Sequence, residues 1–130
     1  MPSTFSLLLV VALGGSAGAL ARFGVYLLIH GRGGRHGPWA TLLVNVIGCL
    51  LLGLILGWIA RRGGSNELWR TFFTVGVLGA FTTFSTYAGD ALRLIHDGRL
   101  LEAGAYLLLS MSIGLAACAG GYELGARLAG

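Results

Sequence analysis

Four long apolar stretches, at about 5–29, 39–60, 68–95 and 100–126, alternate with short polar links at 30–38, 61–67 and 96–99. A helix needs about 20 apolar residues to cross the hydrocarbon of a bilayer, and each stretch reaches that length. None shows the polar–apolar alternation of a membrane β-strand. The pattern therefore predicts an all-α membrane protein, 1–130 as a single domain, with four transmembrane helices. The short links make the helices run alternately up and down. Charges lie toward the ends of the stretches: Arg22 in the first, Arg70, Asp90 and Arg93 in the third, Glu102 and Glu123 in the fourth. Four helices enclose little space, so the chain is expected to oligomerise.

The third stretch breaks the uniform apolar pattern. Near its middle stands Thr82-Thr83-Phe84-Ser85-Thr86, with Gly76 and Gly79 just before it and Tyr87 just after. An isolated Ser or Thr is tolerated in a membrane helix because its hydroxyl can bond back to a carbonyl one turn earlier. Four in five residues, most of them β-branched and preceded by glycines, weaken the helix. Broken helices occur at membrane depth where the freed backbone lines a cavity or binds an ion. The sequence thus predicts a third helix broken mid-span; a continuous Thr-rich helix packing on its neighbours is the alternative. A break frees carbonyls, which suit a hard cation such as sodium. It also frees amides that, with hydroxyls and ring edges, suit an anion. Phe84 and Tyr87 are three residues apart, and an aromatic ring carries a positive edge.

Matching polar positions occur on other stretches. Thr41 and Asn45 share one helix face, and Tyr106 and Ser110 share another. Asn45 is the most telling, because an amide in hydrocarbon is costly unless paired. It offers two donors, either to a site or to a neighbouring helix. Ser112 points elsewhere on its helix and reads as packing. Arg22, one to two turns from the first link, either draws anions to a pore mouth or anchors the helix by reaching the headgroups.

Composition agrees with the membrane reading: 55% of residues are hydrophobic and 11% charged. Soluble domains carry roughly 25% charged residues, so this chain lacks the charge to cover a water-facing surface. The net charge of +4 comes entirely from scattered arginines. They suit lipid headgroups and form no cluster for nucleic acid. Counted by side, Arg61, Arg62, Arg70 and Arg127 oppose Arg32, Arg35, Arg93 and Arg99, with Arg22 added to the second group. The positive-inside rule works through a bias that is missing here. A chain without bias can insert both ways, and opposed copies can pair as an antiparallel, two-fold dimer.

Smaller features change the picture less. Gly14 with Gly18, Gly53 with Gly57 and Gly121 with Gly125 have the spacing that lets helix backbones approach closely. Cys49 and Cys118 lie within apolar runs and read as small buried hydrophobes. The apolar run at 5–13 followed by Ala17-Gly18-Ala19 imitates a secretory leader. No basic residue precedes Arg22, so it is read as a retained span. His30, His36 and His96 show no ligand spacing, and no nucleophile–base pair or phosphate loop is present, so an enzyme is not expected. A small multidrug exporter also has four short spans, but needs an acidic residue deep in the first; here none precedes Glu67. A structural subunit of a larger complex would explain the glycines but not the polar positions.

Three segments together resemble the Fluc (CrcB) family of fluoride channels: Gly14-Gly15-Ser16-Ala17-Gly18-Ala19-Leu20-Ala21-Arg22, Thr41-Leu42-Leu43-Val44-Asn45-Val46-Ile47-Gly48, and Gly79-Ala80-Phe81-Thr82-Thr83-Phe84-Ser85-Thr86. The resemblance covers all four stretches. It implies an inverted, dual-topology homodimer with two pores, and a structural sodium ion at its centre held by the backbone carbonyls of Gly79 and Thr82. It implies a fluoride path along Asn45 and the ring edges of Phe84 and Tyr87, continued by Thr41, Ser85, Thr86, Tyr106 and Ser110, with Arg22 in the vestibule. The implied role is passive fluoride export across the bacterial inner membrane. The family usually has Phe where this chain has Tyr87, whose extra hydroxyl could donate to fluoride or crowd the pore. The physics is consistent: neutral donors can replace the water of a small, strongly hydrated anion, while a fixed cation in the narrowest part could trap it.

Overall fold

The computed structural model describes residues 1–31 and 37–130; Arg32, Arg35 and His36 of the first link lie outside them. The elements are α1 (Thr4–His30), α2 (Pro38–Arg62), α3 (Glu67–Thr71), a π-helical segment (Phe72–Leu78), α4 (Gly79–Phe81), α5 (Phe84–His96) and α6 (Leu100–Leu128). The described residues contain no strand. Helices α1, α2 and α6, of 27, 25 and 29 residues, are each long and apolar enough to cross a membrane.

Local chemistry sets the helix ends. The Ser3 hydroxyl accepts from the Ser6 amide to cap α1, Pro38 opens α2 where its missing N–H costs nothing, and Asn66 Oδ1 accepts from the Leu68 and Trp69 amides to start α3. Gly63, at φ 65°, turns the chain out of α2 while its N–H still reaches the Ile59 carbonyl.

The third apolar stretch is not one helix. Its regular turn widens to a π-helix over seven residues, returns to α for three, stops at Thr82, and resumes at Phe84. The π segment meets α1 where a methyl group built on Gly76 would lie 3.0 Å from the Gly14 Cα.

Close glycine contacts set the helix directions. Gly14 faces Phe72 and Gly76, and Gly18 faces Val77 and Phe81, so α1 and the third stretch run the same way. Likewise Gly53 faces Cys118 and Gly57 faces Tyr122, while Gly121 and Gly125 face Leu50 and Leu54. Helices α2 and α6 therefore also run the same way, in one register over several turns. The glycines read from the sequence as close-packing positions are all in backbone contact: a methyl group at Gly18, Gly53 or Gly57 would overlap a carbonyl oxygen of the facing helix.

Two small cores flank the interruption. Tyr26, Ala40, Val44 and Phe81 join α1 and α2 to the chain before it. Tyr87, Ala91, Leu94, Ala103 and Tyr106 join α5 to α6 after it. Outside these cores large apolar residues such as Leu20, Leu28, Leu101 and Leu115 are exposed. A surface of this kind is covered by lipid or by another protein.

Candidate functional site

The site begins at the end of α4. The Thr82 amide still bonds the Leu78 carbonyl at 3.1 Å, and the Thr82 hydroxyl donates to the same carbonyl at 3.0 Å. With that oxygen doubly engaged, the chain leaves the helix: Thr82 sits at φ −80°, ψ 156° and Thr83 at φ −150°, ψ 115°. A continuous helix would aim the Thr83 amide at the Gly79 carbonyl. Instead it donates to Asn45 Oδ1 at 2.8 Å, and Asn45 Nδ2 donates to the Thr83 carbonyl at 3.1 Å. The side chain from α2 thus replaces both helical partners of one peptide residue. These two partners also fix the amide's orientation, since the N–H must face oxygen and the carbonyl must face nitrogen.

Thr83 then starts the next helix. Its hydroxyl accepts from the Thr86 amide at 3.2 Å, donates to Thr86 Oγ1 at 3.0 Å and lies 3.3 Å from Ser85 Oγ. The break therefore leaves the Gly79 carbonyl without its usual donor on one side and an N-capped α5 on the other. Arg22 reaches in from α1, its Nη1 donating to the Thr82 carbonyl at a long 3.4 Å.

Beside the break lies a cavity of about 490 Å³, walled by Asn45, Gly79, Thr83, Phe84, Tyr87 and Ser110 among others. Ser110 Oγ is buried and has no hydrogen-bond partner among the described residues. A buried hydroxyl without a partner calls for a water or a ligand. Phe84 is 77% exposed on this side and lies 5.7 Å from Tyr87 between ring centroids. The Tyr87 ring in turn lies 5.3 Å from that of Tyr106. The Tyr87 hydroxyl donates to the Leu107 carbonyl at 3.0 Å, so the group that distinguishes it from Phe is spent on the α6 backbone.

The aromatic row leads to a second polar cluster, around Asp90. This residue is 1% exposed. Its Oδ2 accepts from the Thr41 hydroxyl at 2.7 Å and from the Tyr106 hydroxyl at 3.5 Å, and its Oδ1 lies 3.4 Å from Arg93 Nη2. Sequence reasoning placed Asp90 only as a charge near a span end. The signal that could have found it is its position one turn after Thr86 and two turns after Thr83, on the face that carries Tyr87.

The structure thus gathers Asn45, Gly79, Thr82, Phe84, Tyr87 and Ser110 around one cavity. Ser85 and Thr86 join the hydroxyl cluster at the start of α5, and Thr41 and Tyr106 meet at Asp90. Arg22 approaches from α1 onto the Thr82 carbonyl. The polar groups facing the cavity are neutral amides, hydroxyls and carbonyls, the equipment for replacing an ion's water rather than for breaking a bond.

Comparison with known proteins agrees. The family model described as CrcB-like protein, Camphor Resistance (CrcB), matches residues 9–122. A protein named fluoride-specific ion channel FluC from Methylobacterium nodulans is 43% identical over 108 residues, covering 83% of this chain and 86% of its own. Its namesake from Thermus thermophilus is 42% identical over 122 residues, covering 94% and 97%. One from Photobacterium profundum is 39% identical over 122 residues, covering 94% and 96%. The chain is therefore a member of the CrcB (Fluc) family of fluoride ion channels, and not an enzyme.

Proposed function

We propose that this protein is a passive, fluoride-selective channel of the bacterial inner membrane that lowers cytoplasmic fluoride, driven by the ion's own gradient. The observation that carries the reading is the pairing of Asn45 with Thr83, which keeps the chain open beside a cavity of neutral donors. In this reading 67–96 crosses the membrane as well as α1, α2 and α6, as the third of four segments, broken at Thr82 and Thr83. Fluoride passes Asn45, Ser110 and the ring edges of Phe84 and Tyr87, then Ser85 and Thr86. The Thr41 and Tyr106 hydroxyls donate to Asp90 and hold the wall beside this path rather than donating to the anion, and Arg22 attracts anions without standing in the narrowest part.

The functional unit is an inverted homodimer embedded in lipid. The even distribution of arginines along the sequence supports insertion in both directions. A structural sodium ion suits the break, because the donors there are carbonyl oxygens, the ligands hard cations prefer. Gly79 and Thr82 would hold it; the former has lost its helical donor, and the latter accepts only the long Arg22 bond, which would give way to the ion. Two carbonyls make only part of a coordination shell, so a second copy would complete it. When bound, sodium would neutralise the carbonyl dipoles that converge at the break.

Expression in a bacterium that lacks its own fluoride export tests the role. Growth in millimolar fluoride should be restored. Protein present in the membrane with no restored growth would defeat it.

A further inference from the structure

The cavity beside the break has a second chemical character. The chain holds two cysteines and two methionines, and all of them except Met1 line this one cavity: Cys49, Met111 and Cys118. Met111, Gly114 and Cys118 follow one another on a single face of α6. Cys49 comes from α2 at the level of the missing side chain, its Sγ 3.6 Å from a methyl position on Gly114. One turn further on, Gly53 lies against the Cys118 carbonyl, which keeps the two helices close at that point. The three sulfur-bearing residues therefore surround the hollow left by Gly114, one turn before it, one after it and one across from it. Met111 is 66% exposed on the single chain.

Thiolates and thioethers are soft ligands that select copper(I) over the hard cations favoured by carbonyls. We infer that Cys49, Met111 and Cys118 form a binding site for a soft monovalent cation, copper(I) in the cell, and that its occupation blocks the ion path. Each thiol that binds gives up its proton to water, and the sulfurs are drawn together across the hollow. With both thiols deprotonated, the occupied site keeps one net negative charge in the wall of the cavity shared with Asn45 and Ser110, and that charge opposes the passage of an anion. The hard-cation donors Gly79 and Thr82 lie in the same cavity wall, and the difference in ligand softness keeps the two ions apart. The blocking part of the inference rests on the channel reading; the binding part does not.

Silver(I) nitrate in chloride-free buffer is the probe. The purified protein should retain one silver per chain after desalting, measured by metal analysis. Silver should also slow fluoride efflux from liposomes at least tenfold. The Cys49→Ser, Cys118→Ser double variant should retain no silver and conduct unaffected by it. Each single variant, and Met111→Leu, should bind at least tenfold more weakly than wild type. Silver retained by the double variant, or single cysteine variants that bind like wild type, would overturn the site. Bound silver with undiminished efflux would overturn the block. One silver per chain in a protein that passes no fluoride would confirm the site and defeat the channel reading instead.

Discussion

The side-chain amide of Asn45 bonds both backbone groups of Thr83, its oxygen taking the N–H at 2.8 Å and its nitrogen giving to the carbonyl at 3.1 Å. Helix α2 thereby holds the interruption open. A buried peptide group left unpaired costs about 1–3 kcal/mol. Asn45→Leu should therefore lower unfolding stability by about 2–6 kcal/mol, read by thermal denaturation in detergent. Asn45→Asp keeps the acceptor, but sets a carboxylate against the Thr83 carbonyl and against an approaching anion. Fluoride efflux through it should fall at least a hundredfold. Unchanged efflux would remove Asn45 from the path.

Tyr87 offers a sharper distinction. Its hydroxyl donates to the Leu107 carbonyl rather than into the cavity. Tyr87→Phe should cost about 0.5–1.5 kcal/mol of stability, the net worth of one hydrogen bond, and leave fluoride efflux within twofold of wild type. A tenfold loss of efflux would mean that the hydroxyl serves the ion directly.

Asp90 is buried with Thr41, Tyr106 and Arg93 around it. Removing Asp90 leaves the buried Thr41 and Tyr106 hydroxyls without their acceptor, at about 1–3 kcal/mol each, while the half-exposed Arg93 stays solvated. Asp90→Leu should therefore be severely destabilised. Asp90→Asn retains an acceptor for the two hydroxyls and should lose less. Equal melting temperatures for the two variants would contradict the role given to those hydrogen bonds.

Two glycines on α6 and α2 give a matched test of packing. A methyl group at Gly53 would overlap the Cys118 carbonyl, whereas one at Gly120 would meet nothing within 4 Å. Overpacking costs typically about 1–3 kcal/mol. Gly53→Ala should therefore lower the melting temperature markedly, and Gly120→Ala should not. Equal effects would show that α2 and α6 do not pack in this register.

The parts of this architecture that follow from periodicity and composition were legible in the sequence. Apolar length located α1, α2 and α6, and small-residue spacing located the contacts of Gly14, Gly18, Gly53 and Gly57. The competition of hydroxyls with helix hydrogen bonds was legible too, and Thr82 shows it at the Leu78 carbonyl. Asn45 left two readings open, a site donor or glue between helices. In the fold it bonds Thr83 and also lines the cavity. The π-helical turns at Phe72–Leu78 left no such mark, since the choice between i+4 and i+5 bonding depends on how α1 packs against the segment. Asp90 was missed because the acceptors and donors around it come from α2 and α6, far away in sequence. Only the fold shows that this carboxylate faces inward.

Ion efflux from liposomes containing the purified protein tests the channel reading most directly. With potassium permeability supplied to balance charge, fluoride should leave the vesicles rapidly, and chloride, under the same conditions, should be retained. Retention of fluoride, or equal loss of both ions, would contradict the account.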